Sequence, residues 1–129
     1  MNRIKAKVKS ISTLKNLNII EFDFYNEPLF MMSLEVDDIK LNSEMILGIK
    51  PTHIAIAKDF SVNLSFLNQI KVSVVNIEVG QLLTSIKGAV NGVILEAVIT
   101  TKSYHRLSVD IGDGIVMLIP ESELYIYKK

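Results

Sequence analysis

The sequence predicts an all-β protein made of two tandem OB-fold-like, five-stranded barrels, each carrying one short helical turn. Three observations carry this expectation. First, the chain repeats itself: Asn2-Arg3-Ile4-Lys5-Ala6-Lys7-Val8 returns as Asn68-Gln69-Ile70-Lys71-Val72-Ser73-Val74 about 66 residues later. Ile49-Lys50-Pro51-Thr52-His53-Ile54-Ala55-Ile56 is echoed by Ile119-Pro120-Glu121-Ser122-Glu123-Leu124-Tyr125-Ile126 at an offset of about 70. Second, apolar residues recur with period two, as half-buried strands require, and helical periodicity is scarce. Third, polar and glycine-containing turns divide each half into about five such strands. A unit of roughly 60 to 65 residues is marginal on its own, so the two copies should pack together and then onto further subunits, with function at the seams.

In the first strand Ile4, Ala6 and Val8 point one way and Lys5, Lys7 and Lys9 the other. Further strands are expected over residues 18–25, 29–34, 45–49 and 53–57, separated by Asn26-Glu27-Pro28 and Leu41-Asn42-Ser43-Glu44. The second half repeats the series over residues 70–78, 82–87, 93–100, 115–119 and 124–127, with turns at 88–92 and at Gly112-Asp113-Gly114. Residues 101–109 and 33–39 break the alternation and are expected as short helical turns. Thr100, Thr101 or Ser103 would cap the former, and Glu35, Asp37 and Asp38 crowd the start of the latter. Residues 58–64 are polar without strict alternation, so the units are expected to span 1–60 and 65–129.

Composition narrows the function classes. A chain of 129 residues, 49% hydrophobic, can bury a real core. Its 14 basic and 14 acidic residues cancel, so no broad positive field gathers nucleic acid or holds an anionic membrane. Any bound anion must be small and gripped locally. The absence of cysteine excludes disulfides, thiolate metal sites and cysteine nucleophiles. Met1 leads straight into a strand pattern, and no apolar segment approaches the roughly 18 residues of a membrane span, so a cytoplasmic location without membrane insertion is expected.

No catalytic constellation emerges, and the protein is expected not to be an enzyme. His53 and His105 are isolated imidazoles without metal-ligand spacing, so no metal site is expected. Asp37 with Asp38, and Glu121 with Glu123, are carboxylate pairs lacking a nucleophile or base. Gly112-Asp113-Gly114 is a hairpin turn, not a phosphate loop. Alternation puts Phe22 and Phe24 on one face, the core, rather than on a base-stacking surface.

Four ordered motifs in the second half resemble the molybdate-binding Mop or molbindin proteins, whose module is of the transport-associated OB (TOBE) class. Ser65-Phe66-Leu67-Asn68, followed by Gln69-Ile70-Lys71-Val72, is similar to that family's Ser-Ala-Arg-Asn-x-Leu-x-Gly opening. Residues 74–80 resemble its first-strand ending. Ala97-Val98-Ile99-Thr100-Thr101-Lys102-Ser103 resembles its Ala-x-Ile-Thr-x-x-Ser motif, and residues 107–113 its Leu-x-Leu-x-x-Gly-Asp passage. In the first half, Leu47-Gly48-Ile49-Lys50-Pro51-Thr52-His53 is similar to the Gly-Ile-Arg-Pro-Glu-His stretch of TOBE segments in transporter ATPases.

The resemblance implies non-covalent binding of molybdate or tungstate between modules or subunits, for storage, homeostasis, transport or sensing. No covalent cofactor is implied. It further implies a homo-oligomer, a dimer or trimer, and admits molybdate-transporter components as partners. A tetrahedral oxyanion presents only acceptors, so its pocket must converge N–H, hydroxyl and cationic donors and keep carboxylates away. Carry-over assigns Ser65, Phe66, Leu67 and Asn68 to one wall, and Thr100, Ser103 and Ser122 to a facing wall from another subunit, with Lys50 and Thr52 as the matching first-half positions. Plainer roles stand beside these: Ser65 and Asn68 shape a turn, Thr100 and Ser103 cap a helix, and Lys50 is a solvated strand-end lysine. The chain also departs from the pattern. Leu67 replaces an arginine, Pro120-Glu121 replaces a Lys-Ser type pair, and the first half opens at Met1-Asn2 without the Ser-x-x of its motif. Fewer than all family sites are therefore expected to be occupied. A ligand-free TOBE interaction module, accessory to a transporter or regulator, is the alternative.

Overall fold

The computed structural model describes residues 1–34 and 38–128. Ten strands form two five-stranded antiparallel sheets: β1 Asn2–Leu14, β2 Leu17–Phe24, β3 Glu27–Ser33, β4 Glu44–Ile49, β5 Ala55–Ala57, β6 Asn68–Val79, β7 Leu83–Val90, β8 Val93–Thr100, β9 Gly114–Ile119 and β10 Tyr125–Lys128. One helix, α1 Thr101–Leu107, follows β8. A single 3-10 turn, Pro51–His53, replaces the start of the strand expected over 53–57. Pro51 sets the turn's first φ and has no N–H for a ladder. The helical turn expected over 33–39 falls partly on residues 35–37, outside those described.

The two halves exchange their last strands. Sheet order is β10-β4-β1-β2-β3 in one sheet and β5-β9-β6-β7-β8 in the other. Residues 1–60 and 65–129 thus each supply four strands to their own sheet and one to the other. Tyr125 pairs with Gly48 and Ile126 with Leu47, while Ala55 pairs with Leu118 and Ile56 with Met117. Each sheet curls so that its two edges approach: β3 and β10 line one groove, and β5 packs by β8. Both are OB-type barrels, and a single apolar core runs through them, with Ile4, Phe22, Phe24, Leu47, Ile70, Leu95 and Ile115 fully buried.

Matching backbone devices recur in both halves. β1 bulges between Val8 and Ser10, and β6 between Val74 and Asn76. An extra residue there bends the long first strand so that it can serve both faces of a small barrel. The turn before β4 closes with Asn42 N–H to Val8 O at 2.8 Å, and the turn before β9 with Gly112 N–H to Val74 O at 2.8 Å. Both turn residues have positive φ, 65° at Asn42 and 93° at Gly112, a conformation open to asparagine and glycine at little steric cost. Gly88, expected in a turn, lies inside β7 instead. A side chain there would collide with Val72, whereas the first half places Phe22 and Ala6 at the matching positions. The two cores therefore fill similar space with opposite large and small choices.

The exchange is stapled by two asparagines at the heads of the repeats. Asn68 is fully buried in β6; its Oδ1 accepts from Phe30 N–H at 2.7 Å, and its Nδ2 donates to Phe30 O at 2.8 Å and Ile119 O at 3.0 Å. Asn2 does the same to β8: Nδ2 donates to Glu96 O at 2.8 Å and Oδ1 accepts from Glu96 N–H at 2.7 Å. A primary amide pairs with a peptide group as a neighbouring strand would, so each asparagine extends its own sheet onto an edge strand of the other half. Truncating one leaves a buried peptide N–H and C=O without partners. Asn68→Ala and Asn2→Ala should each lower unfolding free energy by about 2–3 kcal/mol in urea titration. Asn68→Asp should lose at least as much at neutral pH, because a carboxylate cannot donate to Phe30 O or Ile119 O.

Candidate functional site

The exchange brings the sequence-flagged residues into two groups. In the first, the segment leading into β6 is tied down by Gln69, whose Nε2 donates to Ser61 O at 2.7 Å and Phe66 O at 2.9 Å while its Oε1 accepts from Ser61 N–H at 2.9 Å. Ser65 is exposed and its hydroxyl makes no hydrogen bond among the described residues, whereas Phe66 is half-buried. Leu67 exposes its side chain, and its backbone N–H faces Glu121 Oε1 at 3.4 Å. Asn68 has no donor left to offer a ligand, since both amide protons are committed to Phe30 O and Ile119 O.

Ser122 lies next to Glu121 on the turn that follows β9. The turn 120–123 docks on the first half's β3 through Met32 N–H to Glu121 O at 3.0 Å. Ser122 there lines a mainly apolar groove of about 600 Å³ with Met32, Leu34, Leu124 and Ile126.

The second group forms around the matching turn of the first half. The 3-10 turn Pro51–His53 packs on β8 of the second half, the strand that ends at Thr100. Lys50 and Thr52 are exposed, and the Lys50 ammonium pairs with no carboxylate among the described residues. At the end of β8, Thr100 is the N-cap of α1: its Oγ1 accepts from Ser103 N–H at 3.1 Å and donates to Ser103 Oγ at 2.8 Å. Thr101 is buried and anchors the helix to the turn between β6 and β7, donating from Oγ1 to Gly80 O at 2.8 Å. With that proton committed, the 2.9 Å contact to Thr84 has Thr84 as donor. Thr100 also borders an open groove of about 590 Å³ with Gln81, Leu82, Lys102 and His105.

The two turns meet each other. His53 Nδ1 lies 3.3 Å from Glu123 Oε2, both half-exposed, and these are matching positions of the repeat. Their surroundings differ in sign: the first turn reads Lys50-Pro51-Thr52-His53 and the second Pro120-Glu121-Ser122-Glu123. Among the described residues no three histidine, aspartate or glutamate side chains converge as a metal site would require. Among the described residues no helix is long and apolar enough to cross a membrane.

Sequence reasoning missed the staple. Its signal was present in the identical Asn at the head of each repeat, but the partner strands lie in the opposite half and only the fold pairs them. It treated Glu121 as a repulsive intruder and did not foresee its approach to the Leu67 amide.

Residues 64–124 match the family model of the TOBE domain, so the match covers the second half of the chain. Among solved structures, the chain is similar to the cytoplasmic molybdate-binding protein ModG in a crystal form with molybdate bound. The TM-score is 0.89 at 17% sequence identity, covering 97% of this chain and 94% of that one. At such identity the likeness establishes the fold and leaves the site to be argued from this chain's own residues. No curated protein sequence matches.

The capping geometry carries its own expectation. Thr100→Ala should lower stability by about 1 kcal/mol through loss of the cap, and Thr100→Ser should restore most of it, as read by thermal or urea unfolding.

Proposed function

With residues 64–124 a TOBE domain and the whole chain in the fold of a solved molybdate-binding protein, we propose that this protein binds molybdate or tungstate non-covalently at the junctions created by strand exchange. The observation that carries the proposal is the Lys50 ammonium, which pairs with no carboxylate among the described residues, with the Thr52 hydroxyl on a turn packed against the β8 strand that ends at Thr100. A lysine and hydroxyls are the donors a tetrahedral dianion needs, and the chain's zero formal net charge leaves recognition to such local groups. Ser65 and the backbone of Phe66 and Leu67, with Ser122 nearby, are the corresponding groups at the second junction, where the Glu121 carboxylate already faces the Leu67 amide. At the end of β8, Thr100 donates its proton to Ser103 Oγ and orients the Ser103 hydroxyl, whose own proton is the donor this pair offers.

Completion of each pocket by a second copy of the chain, in a dimer or trimer, is part of the proposal. Phe60 at 58%, Val62 at 98%, Leu64 at 43% and Leu67 at 61% exposure form an apolar run beside Ser65 that association would cover. The role is reversible binding inside the cell, for storage, homeostasis, sensing or delivery to a transporter, without catalysis. The proximity of Glu121 to the Leu67 amide favours a second reading, a TOBE module that has lost its ligand and acts through protein contacts alone.

Equilibrium titration with tungstate and molybdate separates the two readings. Binding at micromolar Kd or tighter, displaced poorly by phosphate, is expected; an absence of uptake leaves the interaction module. Lys50→Ala with Thr52→Ala should weaken uptake by about tenfold or more, since hydrogen bonds to charged groups contribute about 1.5–3 kcal/mol each. Unchanged affinity in that double variant would remove the turn from the site.

A further inference from the structure

We infer that the Glu121 carboxylate is a tethered anion that fills one of the two repeat-related junctions, so that the chain is asymmetric in its capacity for oxyanion. This rests on the binding reading above and specifies which half of the molecule remains open. The turns 50–53 and 120–123 hold matching places, each leading from its own sheet into the exchanged strand of the other. In the second turn Glu121 is fixed by its backbone, whose O accepts from Met32 N–H at 3.0 Å on β3. That anchor leaves the side chain to reach Leu67, where Oε1 stands 3.4 Å from the backbone nitrogen. Glu121 is half-buried, while Lys50 and Thr52 of the other turn are exposed.

A carboxylate and a tetrahedral oxyanion make the same demand on a peptide N–H, since both are charged acceptors. One oxygen of Glu121 therefore takes the donor that a mobile anion would use, and its charge repels a dianion from Ser65 and Ser122 as well. The effective concentration of a tethered group far exceeds that of a dilute ligand, so it is not displaced at ordinary oxyanion concentrations. Pro51 stands at the matching place in the first half, with neither acceptor nor charge on its side chain. The Lys50–Thr52 junction is open, and the Ser65–Leu67 junction is closed by the protein itself.

Two measurements on the full chain test this. In native mass spectrometry with tungstate, Glu121→Ser should carry one more tungstate per chain than the unaltered protein. Equal, non-zero uptake by the two overturns the inference. In a pH titration followed by NMR, the Leu67 amide proton should move as carboxylates titrate, and this response should vanish in Glu121→Gln. A Leu67 amide that ignores pH in the unaltered protein overturns the inference even if Glu121→Ser is too unstable to study. If neither protein takes up tungstate, the binding reading falls; the Leu67 response, read without any ligand, then decides the tethered contact by itself.

Discussion

The arrangement depends on one reciprocal constraint: each barrel is completed by a strand and held by an amide that belong to the other half. β10 continues the first sheet through Gly48 and Leu47, and β5 continues the second through Leu118 and Met117. Asn2 and Asn68 then bind the peptide groups of Glu96 and Phe30, so opening either seam would strand buried donors and acceptors. Arg3 stacking at 4.1 Å on Tyr127 adds a smaller fastening at the end of the exchanged strand. Neither half has a complete sheet without its partner. The turns that carry the chain across must consequently lie at the junction, and this is why Lys50, Thr52, Glu121 and Ser122 gather there.

Duplication has left the backbone devices alike and the side chains free to diverge. Bulges at Val8/Ser10 and Val74/Asn76, and positive φ at Asn42 and Gly112, recur because the bend of the first strand and the turn before the next require them. Packing is satisfied by opposite choices. Phe22 with Ala6 in the first half corresponds to Gly88 with Val72 in the second, and at the exchanged strands Tyr125 over Gly48 matches Ala55 opposite Leu118. A Cβ on Gly48 would meet Tyr125 Cζ at 2.6 Å, so the glycine there makes room for the ring crossing it. The same freedom let one exchange turn become cationic and the other acidic.

That charge difference matters because nothing larger masks it. The formal net charge is zero, so no net positive charge draws anions toward the chain and local groups set the character of each turn. Lys50 has none among the described residues, while the Leu67 amide faces a carboxylate of its own chain. The His53–Glu123 contact lies between the two turns and sets them side by side.

The sequence by itself determined the all-β class, the duplication and the inward-facing residues, because alternation at period two depends only on neighbours along a strand. Ile4, Ala6 and Val8 are buried and Lys5, Lys7 and Lys9 exposed, as their spacing dictates, and Phe22 and Phe24 are wholly in the core. The helix after Thr100 was equally legible from its cap. Only the tertiary structure decided which half each last strand joins. The pattern of a strand encodes its faces but not its neighbours, and residues 55–57 or 125–128 fit an edge of either sheet on periodicity alone. It also decided that Asn68 staples the two halves, that Ser122 lines a groove with β3, and that Glu121 reaches an amide distant in sequence. Hydrogen bonds of that kind are set by proximity in space, which no local pattern records.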